Sequence, residues 1–87
     1  MDPADHQLVA QLQTLQRVVA FQQLVRAALI HTDDVGDSLE THSFTNRNWE
    51  NRVEQARLTF RDLDSYCQRQ IAQIMENILD LFHQRQQ

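Results

Sequence analysis

Three residues near the end of the sequence have the side chains and the spacing of metal ligands. Glu76, Asp80 and His83 follow one another at steps of four and three, which places them on one face of a helix. Carboxylate oxygens and imidazole nitrogens bind divalent metals such as zinc. These three residues lie two positions off the apolar stripe described below, on its solvated side. We therefore predict no metal site, although an antiparallel hairpin would bring the three towards further candidates at Asp2, Asp5 and His6.

A second group of acidic and histidine residues lies in the middle of the chain. Its spacing lacks the Asp-x-Asp-x-Asp-Gly register and the terminal Glu of a calcium loop. The sequence also has no glycine-rich phosphate loop, no nucleophile elbow and no His-Glu-x-x-His motif. We therefore predict that the Asp and Glu residues of this group cap helices, and that the protein has no cofactor and no catalytic residue. The members of the group are His31, Asp33, Asp34, Asp37, Glu40 and His42.

The composition narrows the class of protein. A chain of 87 residues makes one domain, 1–87, and a single Gly and a single Pro argue against β-hairpins. The only cysteine, Cys67, excludes an internal disulfide. A net charge of −4 is unlike that of a nucleic-acid-binding domain. No apolar run reaches the roughly 20 residues that span a bilayer. The first residues lack the basic and apolar regions of a signal peptide, so we expect none. We expect a cytoplasmic protein with neither nucleic acid nor membrane as its partner.

The elements that position these residues are two long helices. The second is predicted over about 47–84, because apolar residues recur there at steps of four and three, the spacing of a coiled coil. Its stripe consists of Trp49, Val53, Ala56, Phe60, Leu63, Cys67, Ile74, Ile78 and Leu81. The first helix is predicted over about 3–31, with Asp2 as its N-cap and Pro3 in its first position. Its apolar face is broader, as in a bundle helix with more than one neighbour.

The connection between the two helices is predicted over 32–46. Gly36 is a plausible left-handed stop for the first helix. Asp37-Ser38-Leu39-Glu40 resembles a capping box, so a short helix over about 38–44 is expected there. Thr45 or Asn46 would then cap the long helix. An alternative is one continuous helix from Asp37 to the end of the chain.

The resulting fold is all-α: an antiparallel hairpin of two long helices with a short connecting helix or loop. Helices of these lengths would be about 42 Å and 57 Å long, so the second would overhang the first by about ten residues. The overhang would begin at Ile71 and carry an apolar surface that needs a partner. We expect a homodimer that forms a four-helix bundle, or a complex with another helical protein. The predicted contact residues are Ile74, Met75, Ile78, Leu79, Leu81 and Phe82, with Trp49 and Phe60 in the seam.

These expectations favour a non-enzymatic interaction module, such as a small adaptor, a chaperone-like protein or a regulatory subunit. The alternative is a small helical hydrolase or metal-dependent enzyme with acidic residues at a bundle interface. Carboxylates that point into the bundle would favour the enzyme, and a uniformly apolar interface would favour the module.

Overall fold

Two long helices pack side by side in opposite directions in the computed structural model, which describes residues 2–41 and 46–86. Helix α1 spans Pro3–Thr41 and helix α2 spans Arg47–Gln86. The molecule is a rod with extents of 64 × 15 × 14 Å. The predicted all-α antiparallel hairpin is therefore confirmed.

Both helices begin at a capping side chain. The Ala4 backbone N–H donates to Asp2 Oδ1 at 3.1 Å, and Pro3 is the first residue of α1. Asn46 immediately precedes α2, and its Oδ1 accepts a hydrogen bond from the Asn48 backbone N–H at 2.8 Å. Such bonds satisfy N–H groups that have no partner within their own helix. The predicted cap at Asp2 is confirmed. Asn46 caps α2, whereas the other candidate, Thr45, lies outside the described residues.

Helix α1 does not end near His31 as the sequence predicted. It continues through Gly36 to Thr41, because the residues after His31 keep the spacing of its packing face. Gly36 lies inside the helix beside α2, where a Cβ atom added to it would lie 3.5 Å from Val53 Cγ1. Thr32, Gly36 and Leu39 are half-buried against α2, and this packing offsets the low helix propensity of Asp and Gly.

Two predictions about the connection change accordingly. Of the predicted short helix over 38–44, residues 38–41 form the last turn of α1, and 42–44 lie outside the described residues. The alternative of one continuous helix from Asp37 onwards is wrong, because Asp37 belongs to α1 and α2 begins at Arg47.

The two helices meet along a seam in which packed residues alternate at steps of three and four. On α2 the seam follows the predicted stripe from Val53 to Leu81 and includes Gln70, and every member is buried or half-buried. Trp49 is the exception, with 51% of its surface exposed. On α1 the seam comprises Leu8, Gln11, Leu15, Val18, Gln22, Val25, Leu29, Thr32, Gly36 and Leu39.

The predicted overhang of α2 is wrong, because the helices are nearly equal in length, with 39 and 40 residues. The first half of α1 therefore covers the last third of the α2 seam. Ile74 is buried, and Ile71 and Ile78 are half-buried. The need for a partner cannot rest on an uncovered helix end.

Three polar contacts fix how the helices lie against each other. Arg26 Nε lies 2.9 Å from Asp64 Oδ1, and Arg85 Nη1 lies 3.0 Å from Asp5 Oδ1. Between them along the rod, Gln22 Nε2 donates to Gln68 Oε1 at 3.1 Å. The residue numbers of each pair add up to 90, so one alignment of the helices satisfies all three contacts.

Candidate functional site

The residues predicted to contact a partner occupy two different surfaces of the hairpin. Four of them lie in the seam against α1, buried or half-buried: Phe60, Ile74, Ile78 and Leu81. The other four are exposed on the outside of α2: Trp49, Met75, Leu79 and Phe82. The seam residues are largely occupied in holding the hairpin together. Contact of any of the eight with a partner remains a prediction.

An uncharged surface runs along one side of the hairpin, next to the seam, and the two interhelical ion pairs bound it. We call it the uncharged flank. On α1 its residues follow Asp5 at alternating steps of four and three until Arg26. On α2 they follow Asp64 at the same steps until Arg85. The α1 row is Val9, Leu12, Gln16, Val19 and Gln23, and the α2 row is Gln68, Ile71, Met75, Ile78 and Phe82. Ile78 is half-buried at the edge of the seam and belongs to both the seam and the flank.

The geometry of the ion pairs places these two rows on one side of the rod. Asp5 lies beside Arg85 at one end and Arg26 beside Asp64 at the other, so residues at heptad-like steps between them share that side. The bounding residues of each row, 5 and 26 or 64 and 85, are separated by 21 residue steps, or about 31 Å of helix. Val9, Leu12, Met75 and Phe82 are all exposed. Leu79 adjoins this group on the outer side of α2 and has 57% of its surface exposed.

The same side of the rod becomes charged beyond the Arg26–Asp64 pair. There a groove of about 650 Å³ separates the two helices near the connection. Arg57 forms an ion pair with Glu54 within it. The acidic residues that line the groove are Asp33, Asp37, Glu40, Glu50 and Glu54. One side of the hairpin is thus divided into an uncharged half near the termini and an acidic half near the connection.

The opposite side of the hairpin has a different character. Exposed apolar residues lie along α1 at Phe21, Leu24 and Val35, and Leu24 has 70% of its surface exposed. On α2 this side carries the exposed Tyr66, which is flanked at helical steps by charged residues. Glu76, Asp80 and His83 belong to the same side. On this side the α2 row is charged, so the apolar residues of α1 do not continue into an uncharged surface across both helices.

The candidate metal ligands do not converge. Asp80 lies beside Gln7 and Gln84 in a shallow groove, whereas Asp5 lies on the other side of the rod and pairs with Arg85. Within residues 2–41 and 46–86, no three His, Cys, Asp or Glu side chains form a group that could hold a metal ion. Cys67 has 1% of its surface exposed and lies in the seam.

Residues of α1 are absent from the contact residues predicted from the sequence, although Val9 and Leu12 contribute to the uncharged flank. The two rows of the flank are visible in the sequence when it is followed at alternating steps of four and three. Each row begins with Asp, continues with five uncharged residues and ends with Arg. Only the alignment of the two helices shows that the rows lie side by side.

Comparison of this chain with known protein families, with curated proteins and with solved structures finds no match. Neither α1 nor α2, over the residues described, contains a stretch long and apolar enough to cross a membrane.

Proposed function

We propose that this protein is a non-enzymatic helical interaction module that associates through its uncharged flank, with a second copy completing a four-helix bundle. Small adaptors, chaperone-like proteins and regulatory subunits act in this way. The single observation that carries the proposal is the uncharged flank, which lies between two interhelical ion pairs about 31 Å apart along the rod.

The exposed area of the hairpin supports association. The chain exposes 6762 Å². A compact monomer of 10.3 kDa exposes about 5,400 Å² by the usual scaling of area with mass. The excess of about 1,400 Å² is larger than the roughly 800 Å² that each partner buries in an interface of standard size. A contact along one flank would therefore bring the molecule closer to an ordinary ratio of surface to mass.

The composition of the flank also suits an interface. The centres of protein interfaces are depleted in charged residues and enriched in aromatic residues and Met. The flank contains Met75 and Phe82 together with aliphatic residues, and its polar members are all Gln. A Gln amide can both donate and accept hydrogen bonds, so a copy of the same flank can satisfy it.

The test uses Met75→Glu, because Met75 is exposed and a charge there leaves the seam intact. The matched control is Leu24→Glu, which places the same charge at an exposed apolar position on the opposite side. We expect wild type and Leu24→Glu to be dimers by light scattering. Met75→Glu should weaken association at least tenfold, because its carboxylate would be buried without a partner.

Circular dichroism of all three proteins should give the same helicity. A wild type that stays monomeric at every concentration would contradict the proposal, and so would a Met75→Glu variant that dimerises as well as Leu24→Glu does. Equal loss of association in both variants would show that the contact is not specific to the uncharged flank.

A further inference from the structure

The uncharged flank has an approximate two-fold symmetry of its own. Each of its two rows begins with Asp, continues with five uncharged residues at the same steps, and ends with Arg. Because the helices are antiparallel, the Asp of each row lies beside the Arg of the other, at 2.9 Å and 3.0 Å. A rotation of about 180° around an axis perpendicular to the flank therefore exchanges the two rows and reproduces the pattern of charges.

Two face-to-face dimers are consistent with this symmetry. In one, the two-fold axis runs along the rods and both connections lie at the same end. In the other, the axis crosses the rods at the middle of the flank and the connections lie at opposite ends. Each arrangement brings every carboxylate at a row end opposite a guanidinium of the other copy. The flank alone does not select between them.

The charge near the connection distinguishes the two arrangements. Residues 33–57 carry six carboxylates and three guanidinium groups, a net charge of −3, out of −4 for the whole chain. With both connections at the same end, two such regions would lie at the distance of packed helices, about 8–10 Å, which is close to one Debye length at physiological salt. Their repulsion would be only partly screened.

In the other arrangement the acidic regions are far apart. The middle of the flank falls between residues 15 and 16 of α1, and α1 ends at Thr41. At 1.5 Å per residue the two helix ends would lie about 76 Å apart, beyond any effect of charge in physiological salt. Resting on the proposed function, we infer that the partner is a second copy packed antiparallel about this two-fold axis, with the acidic grooves uncovered at opposite ends of a longer rod.

The test measures distances between spin labels by double electron–electron resonance in the full-length protein. Gln13→Cys and Ala27→Cys are exposed, uncharged positions on the same side of α1, two heptads apart. Wild type serves as the labelling control, because Cys67 is buried. In the antiparallel dimer the two labels of a pair are separated along the rod by about 7 Å at position 13 and by about 35 Å at position 27.

A clearly longer distance at 27 than at 13 supports the inference. Equal distances at both positions would overturn the antiparallel arrangement and leave the proposed association intact. The absence of intermolecular coupling at both positions, together with a monomeric mass, would overturn the proposed function as well. Circular dichroism of the labelled proteins confirms that each variant is folded.

Discussion

Replacement of Gly36 by alanine should stabilise the hairpin. Gly36 lies inside α1, where glycine lowers the stability of the helix by about 0.8–1.0 kcal/mol relative to alanine. The cause is that a glycine has more backbone conformations in the unfolded chain than an alanine has, and loses them on folding. The new Cβ would lie 3.5 Å from Val53 Cγ1, an ordinary van der Waals contact. We expect the free energy of unfolding to rise by about 1 kcal/mol. For a domain of this size that change raises the melting temperature by about 4–8 °C.

The opposite sign would follow if Gly36 ended the helix in a left-handed conformation. Alanine is strained in that conformation, so the substitution would then lower the melting temperature. Thermal unfolding followed by circular dichroism distinguishes the two cases. The control is Ala27→Gly at an exposed position of the same helix, which should destabilise by about 1 kcal/mol and so calibrate the scale. All proteins must be compared at one concentration, since association would raise the melting temperature. A lower melting temperature for Gly36→Ala would refute the continuous α1.

Two further substitutions test how the polar contacts contribute to stability. Gln22→Leu should raise the urea midpoint of unfolding, because Gln22 is buried and an apolar side chain is more stable there. Its partner Gln68 is exposed and can bond to water once the contact at 3.1 Å is lost. A lower midpoint would mean that the buried amide stabilises the hairpin more than an apolar side chain does. A double-mutant cycle of Arg26→Ala and Asp64→Ala should give a coupling below about 1 kcal/mol that decreases in 1 M salt, because both side chains are partly exposed; a larger coupling that salt does not change would contradict this.

The sequence predicted the hairpin well where local signals and packing agree. The regular recurrence of apolar residues from Val53 to Leu81 identified the packing face of α2. The side chain of Asp2 identified the start of α1, and Asn46 was one of two candidates for the cap of α2. A side-chain acceptor followed by a helix-forming run is a strong local signal.

The end of α1 could not be predicted from local signals. Asp33, Asp34 and Gly36 are all poor helix formers, and they favour a loop when taken alone. Thr32, Gly36 and Leu39 nevertheless continue the seam of α1, and packing against α2 decides the outcome. Because α1 was predicted to end near His31, it was predicted about ten residues too short. The predicted overhang of α2 followed from that difference in length and does not exist.

The uncharged flank was only half predicted. Met75, Ile78 and Phe82 were identified on α2 as contact residues, although for a reason that the equal helix lengths remove. The α1 half was missed because the position of Val9 beside α2 depends on how the two helices are aligned. That alignment is set by contacts between residues far apart in the sequence, such as Arg85 with Asp5.

The ion pairs also disfavour misaligned hairpins. A seam that repeats every seven residues would still bury most of its apolar residues if α2 were shifted by one heptad in either direction. One shift would place Arg26 opposite Arg57, and the other would place Asp64 opposite Asp33. Both shifts bring like charges together and break the native Arg26–Asp64 pair. The charged residues thus contribute little to the stability of the native hairpin, yet each shift by a heptad would replace an attractive pair with a repulsive one.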